Sequence, residues 1–278
     1  MEYKKKNFKG KKTTDNARPD FHKRQREEAE ELPENIIFGR NSVKELLESG
    51  RDIEKIFVLG GEREGSISLL VSMAIERRIN VNEVDKQKLD KLSLGGKHQG
   101  IVAIASERDY STVDDIINYA NERGEKPLIV LLDGVEDPHN LGAIIRSAEC
   151  LGAHGVIIPK RRAAGLTATV SKASAGAIEY MRVARVTNLA QTVDELKERG
   201  LWIYAADMGD GVYYRTDLTG PVAIVMGSEG FGISRLVREK CDFVLSIPLH
   251  GKVNSMNVSC AAAVLLAECA KQRLEKRR

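Results

Sequence analysis

Three short stretches of the 278-residue chain concentrate amide, guanidinium, carboxylate and hydroxyl groups among glycines: NLGAIIR (Asn140 to Arg146), GSEGFG (Gly227 to Gly232) and IPLHGKVNSMNVS (Ile247 to Ser259). Each begins at the end of a segment with strand character or closely follows one. The carboxyl ends of strands are where an open α/β sheet builds a ligand site. Each stretch alone has a plain structural reading, so their joint occurrence in one order carries the signal.

Asn140 directly precedes a helix expected from Leu141, where it could serve as an ordinary N-cap, and Gly142 permits close approach of backbone or substrate. Arg146 lies six residues on, among Ile144, Ile145 and Ala148, a setting that favours a specific partner over plain solvation. Glu229 stands between glycines, a costly choice for a simple turn. GSEGFG lacks the GxGxxG spacing and follows a late strand, which argues against a nicotinamide site. Asn257 could cap the last helix, with Ser259 sharing that duty. His250 reads as a loop residue, not a general base.

The elements that must hold these groups follow from hydrophobic period. From Pro127 the segments PLIVLLD, GVIIP, LWIYAAD, PVAIVMG and VLSIPL alternate with helical stretches: from Leu141, within TVSKASAGAIEYM, from Leu189, a short one from Ile233, and a final one. Such alternation predicts a mostly parallel sheet covered on both faces. In the final helix Val258, Ala261, Ala262, Leu265, Leu266 and Cys269 recur at helical spacing. Between Ile36 and Ser106 a smaller α/β unit is expected. Ser42 and Glu45 would form a capping box closed by Gly50. Strands are expected at Glu54 to Leu59, near INVNEV and at Gly100 to Ser106, and helices at Ser66 to Arg78 and near KQKLDKL. A helix from Thr112 to Glu122 lies in the connection.

Composition sets outer bounds. With 42% hydrophobic and 30% charged residues, neither a disordered nor a fibrous chain is expected. No apolar run reaches membrane-spanning length and the lysine-rich start has no apolar signal core, so a cytoplasmic location is expected. Four scattered cysteines, Cys150, Cys241, Cys260 and Cys269, form no CxxC pair and read as small buried apolar residues. Residues 1–26 hold ten Lys or Arg against three acids, a local +7 within a total of +3, which leaves −4 elsewhere. This arm reads as a disordered tail suited to a phosphate backbone or another anionic partner.

With these residues in view, the chain resembles the SpoU (TrmH-like) branch of the SPOUT superfamily of RNA 2′-O-ribose methyltransferases. The likeness is greatest to those acting on a guanosine of bacterial 23S rRNA. IFGRNSVKELL and HQGIVAIA resemble that family's N-terminal L30e-like substrate-binding domain, and the three stretches above resemble its catalytic motifs. The resemblance implies an α/β fold with a C-terminal parallel-sheet domain tied in a deep trefoil knot, plus a small N-terminal α/β L30e-like domain. Pattern reasoning would have excluded a knot. The implied division is a basic arm over 1–34, a substrate-binding domain over 35–108, a linker over 109–126 and a catalytic domain over 127–278.

The resemblance further implies S-adenosylmethionine as methyl donor, no metal, an RNA partner and a homodimer with its site completed near the subunit interface. Asn140, Arg146, Glu229, Ser255 and Asn257 are then the catalytic set. Gly227, Ile247, Pro248, Leu249 and Met256 are the cofactor contacts, their apolar surfaces suited to adenine and thioether. Arg146 would assist deprotonation of the 2′-hydroxyl, or bind an RNA phosphate and steady the alkoxide. A guanidinium is a poor free base, so the second role is physically easier. Arg40, Asn41, His98 and Gln99 are assigned to RNA contact. The alternatives are a tRNA 2′-O-methyltransferase, a resistance enzyme modifying rRNA adenosine, a ribosome-assembly factor without turnover, and a nicotinamide-dependent dehydrogenase.

Overall fold

The computed structural model describes residues 35–61, 65–106 and 109–276. The basic arm assigned to residues 1–34 therefore lies outside the described residues. The smaller unit runs β1 (Ile36–Phe38), α1 (Arg40–Glu48), β2 (Ile53–Leu59), α2 (Ser66–Glu76), β3 (Asn80–Val84), α3 (Lys86–Leu92) and β4 (Ile101–Ala105). Its strands pair in the order β1-β4-β2-β3, antiparallel except for β2 with β3. The expected capping box at Ser42 is absent: α1 starts two residues earlier, at Arg40, and Ser42 is buried inside it. The first helical N–H is instead satisfied by Gln99, whose Oε1 accepts from Arg40 N at 2.9 Å. That cap comes from 59 positions away, beyond any local signal.

After α4 (Val113–Glu122) the chain builds β5 (Leu128–Asp133), α5 (Pro138–Cys150), β6 (Gly155–Pro159), α6 (Ala168–Ala173), β7 (Val183–Val186), α7 (Leu189–Glu198), β8 (Trp202–Ala206), β9 (Val222–Gly227), α8 (Arg235–Lys240), β10 (Phe243–Leu245) and α9 (Val258–Lys276). The strands form one sheet in the order β10-β8-β9-β5-β6-β7, parallel throughout, as the alternation predicts. β7 was not expected, because Arg185 interrupts its short apolar run. The helix expected within TVSKASAGAIEYM is broken into α6 and a 3₁₀ turn over Ala177–Glu179.

The two-residue period of β5 divides the core. Leu128, Val130 and Leu132 pack with Leu141, Ile144 and Ile145 of α5 and with Leu265, Leu266 and Cys269 of α9. Ile129 and Leu131 face Ile116 of α4, Val193 and Leu196 of α7 and Val237 of α8. Each fully buried Leu or Ile contributes about 1.5–3 kcal/mol, so α5 and α9 are fixed firmly on one face. Both begin at the edge where the parallel strands end. Gly142 gives α5 its closeness to α6: a Cβ there would stand 2.4 Å from the Ala173 Cβ and 2.9 Å from the Val170 carbonyl oxygen. Among the described residues, no helix is long and apolar enough to cross a membrane.

The cysteines divide. Cys269 is buried, and burial pushes its thiol up to about 12. Cys241 is half-buried, and Cys150 and Cys260 are exposed, against expectation. Cys260 sits about 200° around the helix from Val258 at 100° per residue, which turns it from the core.

Candidate functional site

The helix carrying the first stretch begins earlier than the sequence suggests. Asp137 is the N-cap, accepting from His139 N at 2.9 Å, and Pro138 occupies the first turn. Asn140 is therefore inside the first turn and not a cap. Its side chain is free to reach across the sheet edge: Nδ2 donates to Glu229 Oε1 at 3.2 Å, and Oδ1 accepts from Asn257 Nδ2 at 2.9 Å. Asn257 Nδ2 also donates to Glu229 Oε1, at 2.8 Å.

Asn257 does cap the last helix. Its Oδ1 accepts from Ser259 N at 2.9 Å, Ser259 Oγ at 2.6 Å and Cys260 N at 3.3 Å. With the oxygen committed to α9, the amide nitrogen is left for Asn140 and Glu229. Capping and clustering are two ends of one side chain, so the structural and functional readings of Asn257 hold together.

Glu229 rides on a tight turn after β9. Ser228 and Gly232 exchange reciprocal backbone bonds at 3.0 Å. The turn is braced by Asp133 at the end of β5, whose buried carboxylate accepts from Ser234 N at 2.7 Å. Gly227, paired with Asp133 across the two strands, leaves no room for a side chain: a Cβ there would stand 2.3 Å from the carbonyl carbon of Gly232. Asp133 was missed in the sequence, although an acid ending the strand before the first glycine-bearing stretch signals a site by position.

Beside this cluster lies a cavity of about 790 Å³ at the carboxyl ends of β8, β9 and β10. Met226, Leu245, Ile247, Leu249, Met256 and Leu265 supply apolar wall. Asp207, Ser228, Glu229, Asn254, Ser255 and Asn257 supply polar groups, and Gly227, Gly230 and Gly232 expose backbone. Of the expected cofactor contacts, Gly227, Ile247, Leu249 and Met256 line the cavity, whereas half-buried Pro248 is not part of the wall. Of the expected catalytic set, Asn140, Glu229 and Asn257 are hydrogen-bonded together and Ser255 is in the wall. Arg146 is not with them: it is exposed on α5 and makes no hydrogen bond or ion pair among the described residues. Asp207, Met208 and Phe231 are lining residues that the sequence reading missed.

In the smaller unit, His98 is buried with both ring nitrogens engaged. Nδ1 accepts from Gly100 N at 3.0 Å and Nε2 lies 3.1 Å from Asp90 Oδ1. It holds its loop in shape, which corrects its assignment to RNA contact; Gln99, exposed on the same loop, accepts from Arg40 at the start of α1.

Comparison with known proteins places these features in context. A family model described as the SpoU rRNA Methylase family matches residues 127–267, and one described as RNA 2′-O ribose methyltransferase substrate binding matches residues 36–111. YacO of Bacillus subtilis (strain 168), assigned to the TrmH family of tRNA/rRNA methyltransferases, is 45% identical over 240 residues, covering 86% of this chain and 96% of the relative. The SpoU methyltransferase AviRb of Streptomyces viridochromogenes, solved in complex with AdoMet, is 26% identical with a TM-score of 0.71, over 86% of this chain and 90% of that one. The A. aeolicus TrmH/SpoU tRNA modifying enzyme is 30% identical with a TM-score of 0.50, over 55% of this chain and 78% of that one.

Proposed function

This chain belongs to the SpoU rRNA methylase family, and from that premise we propose that it transfers a methyl group from S-adenosylmethionine to the 2′-hydroxyl of a guanosine in 23S rRNA. The observation that carries this reading is the Asn140–Glu229–Asn257 cluster at the wall of a cavity with apolar and polar halves. The cavity fits the donor chemically. Ile247, Leu249 and Met256 suit adenine and thioether, exposed backbone at Gly227 to Gly232 suits polar ends, and Glu229 suits positive charge. When bound, the donor supplies a methyl group already activated on a sulfonium.

The protein's task is then alignment and charge. Glu229 Oε1 is occupied by two amide donors, while Oε2 accepts no hydrogen bond among the described residues and stays available to a substrate hydroxyl or a cationic group. Ser255 adds a hydroxyl to the same wall. Holding the ribose oxygen in line with the methyl carbon converts a bimolecular encounter into a positioned one. Arg146, permanently charged, binds an RNA phosphate and steadies the developing alkoxide. Because it belongs neither to the hydrogen-bonded cluster nor to the cavity wall, our reading has a second copy of the chain complete the site. It also assigns substrate binding to residues 35–108, linkage to 109–126 and catalysis to 127–278, with the last part threaded as a knot.

The SpoU rRNA methylase match over 127–267, together with the RNA substrate-binding match over 36–111, supports ribosomal RNA. The tRNA modifying enzyme from A. aeolicus aligns over only 55% of this chain. The test is methyl transfer from labelled S-adenosylmethionine to total RNA of a strain lacking the gene, with products mapped by the alkali resistance of 2′-O-methylated linkages. One new resistant guanosine in 23S rRNA is expected. Label in tRNA alone would replace the substrate assignment, and no label in any RNA would overturn the reading.

A further inference from the structure

Outside the cavity, one loop of the large unit gathers cations and has no acid of its own. Residues 160–176, from the end of β6 through α6, hold Lys160, Arg161, Arg162 and Lys172 and no carboxylate. Arg161 and Arg162 are exposed and enter no hydrogen bond or ion pair among the described residues. Adjacent like charges repel, so a surface that keeps them unbalanced suits a polyanion.

This loop is pinned at both ends. Lys160 N donates to the Val186 carbonyl at 2.8 Å, Leu166 N donates to the Tyr110 hydroxyl at 3.2 Å, and Ala164 N donates to the Val135 carbonyl at 3.2 Å. Val135 stands five residues before Asn140, so one end of the loop runs beside the segment that leads into the cluster. At the other end the Lys172 ammonium donates to the Lys97 carbonyl at 2.8 Å and lies 4.6 Å from the centre of the Phe38 ring. Lys97 is exposed, in a stretch from 93 to 105 that also has no carboxylate. Burial, and after it the neighbouring charge of Lys97, lowers the Lys172 pKa.

We infer that the 160–166 loop and Lys97, joined through Lys172, form one fixed phosphate track that carries the RNA strand from the smaller unit to the Asn140–Glu229–Asn257 cluster. The inference rests on the proposed RNA methyltransferase function, and it names the surface through which that substrate is held. The ligand is the sugar-phosphate backbone, read by charge and not by sequence.

The test uses the full chain and an rRNA fragment that it methylates, with affinity measured across a salt series. Each phosphate contact contributes about 0.7–0.9 to the slope of log K against log salt. The double variant R161A/R162A should lower that slope by about 1.5 and weaken binding at least tenfold. K97A should lower it by about half as much. KM for RNA should rise further than kcat falls, and S-adenosylmethionine affinity by calorimetry should hold. Arg199 is the control: it pairs with Asp114 at 2.5 Å between α7 and β8, at the edge where the strands begin. An unchanged slope in R161A/R162A and K97A, or an equal loss in R199A, would overturn the track while methylation continued. Wild-type RNA binding with the expected slopes but no methyl transfer would instead sink the proposed activity and leave the track standing.

Discussion

Asn257 Nδ2 lies 2.8 Å from Glu229 Oε1 while the same residue's Oδ1 accepts the first free N–H groups of α9. One side chain thus couples the seating of a 19-residue helix to the orientation of a carboxylate at the cavity wall. The coupling separates two properties that substitution usually confounds.

Asn257→Asp keeps an oxygen to cap α9, since Asp and Asn are comparable N-caps, but replaces the donor to Glu229 with a second carboxylate oxygen. We expect the melting temperature to stay near wild type and methyl transfer to fall about 100-fold, the scale of losing one positioned polar group. Asn257→Ala should lose both, with a stability cost of about 1 kcal/mol. Equal activity in Asn257→Asp and wild type would remove the Glu229 tether from the mechanism.

Gly227→Ala tests the turn. Its Cβ would meet the Gly232 carbonyl carbon at 2.3 Å and Ile233 N at 2.4 Å, both backbone atoms that cannot swing aside. The turn must shift, at roughly 1–3 kcal/mol of overpacking, and Glu229 moves with it. Donor affinity by calorimetry should drop more than tenfold. At Gly230 a Cβ meets nothing within 4 Å but φ is +87°, so Gly230→Ala should cost about 1–2 kcal/mol of backbone strain and spare more of the affinity. Full donor affinity in Gly227→Ala would show that the turn does not shape the cavity.

Arg146→Ala should lower methyl transfer by about 10²–10³ and leave donor affinity intact, because Arg146 is not part of the cavity wall. Arg146→Lys should restore little, since an ammonium lacks the planar fork that grips a phosphate. Mixing Arg146→Ala with Glu229→Gln chains offers a sharper measurement. If a second copy completes the site, the mixture should recover activity that neither variant has alone. No recovery would place both groups in one chain's chemistry.

The alternating strands and helices of the large sheet were legible because β5, LIVLLD, is buried along its whole length, as a central parallel strand must be. The three glycine-bearing stretches were legible for a related reason: polar residues directly after such runs have nowhere to lie but the sheet edge. What escaped was set by long-range partners or by phase. Gln99 caps α1 across 59 positions, and Asp133 braces the Glu229 turn across 101. The start of α5 expected at Leu141 is three residues late, because the Asp137–Pro138 pair, a start signal with Pro in the first turn, opens the helix at Pro138. Arg146 stays out of the cluster for a reason of phase: six residues along a helix turn a side chain about 600°, well off the face that Asn140 presents.

His154 gives the fold a pH dependence of predictable sign. Its ring is almost wholly buried: Nδ1 accepts from Leu128 N at 3.0 Å, and Nε2 is 3.1 Å from Glu125 Oε2. Burial, offset in part by Glu125, holds its pKa below the ordinary 6.5. Between those two values the unfolded chain binds the proton more tightly, so stability must fall with acid. The contribution is fully present above about 6.5 and is lost as pH drops through the depressed folded value. Asp115 and Asp217, both lowered from 3.8 by bonds to neighbouring threonines, act only in more acidic solution. Urea midpoints at about pH 7.5 and 5.5 therefore isolate the histidine. Wild type should be less stable at the lower pH, and His154→Gln should narrow that difference even if it is less stable throughout. A variant that kept the full wild-type difference would assign the pH dependence elsewhere.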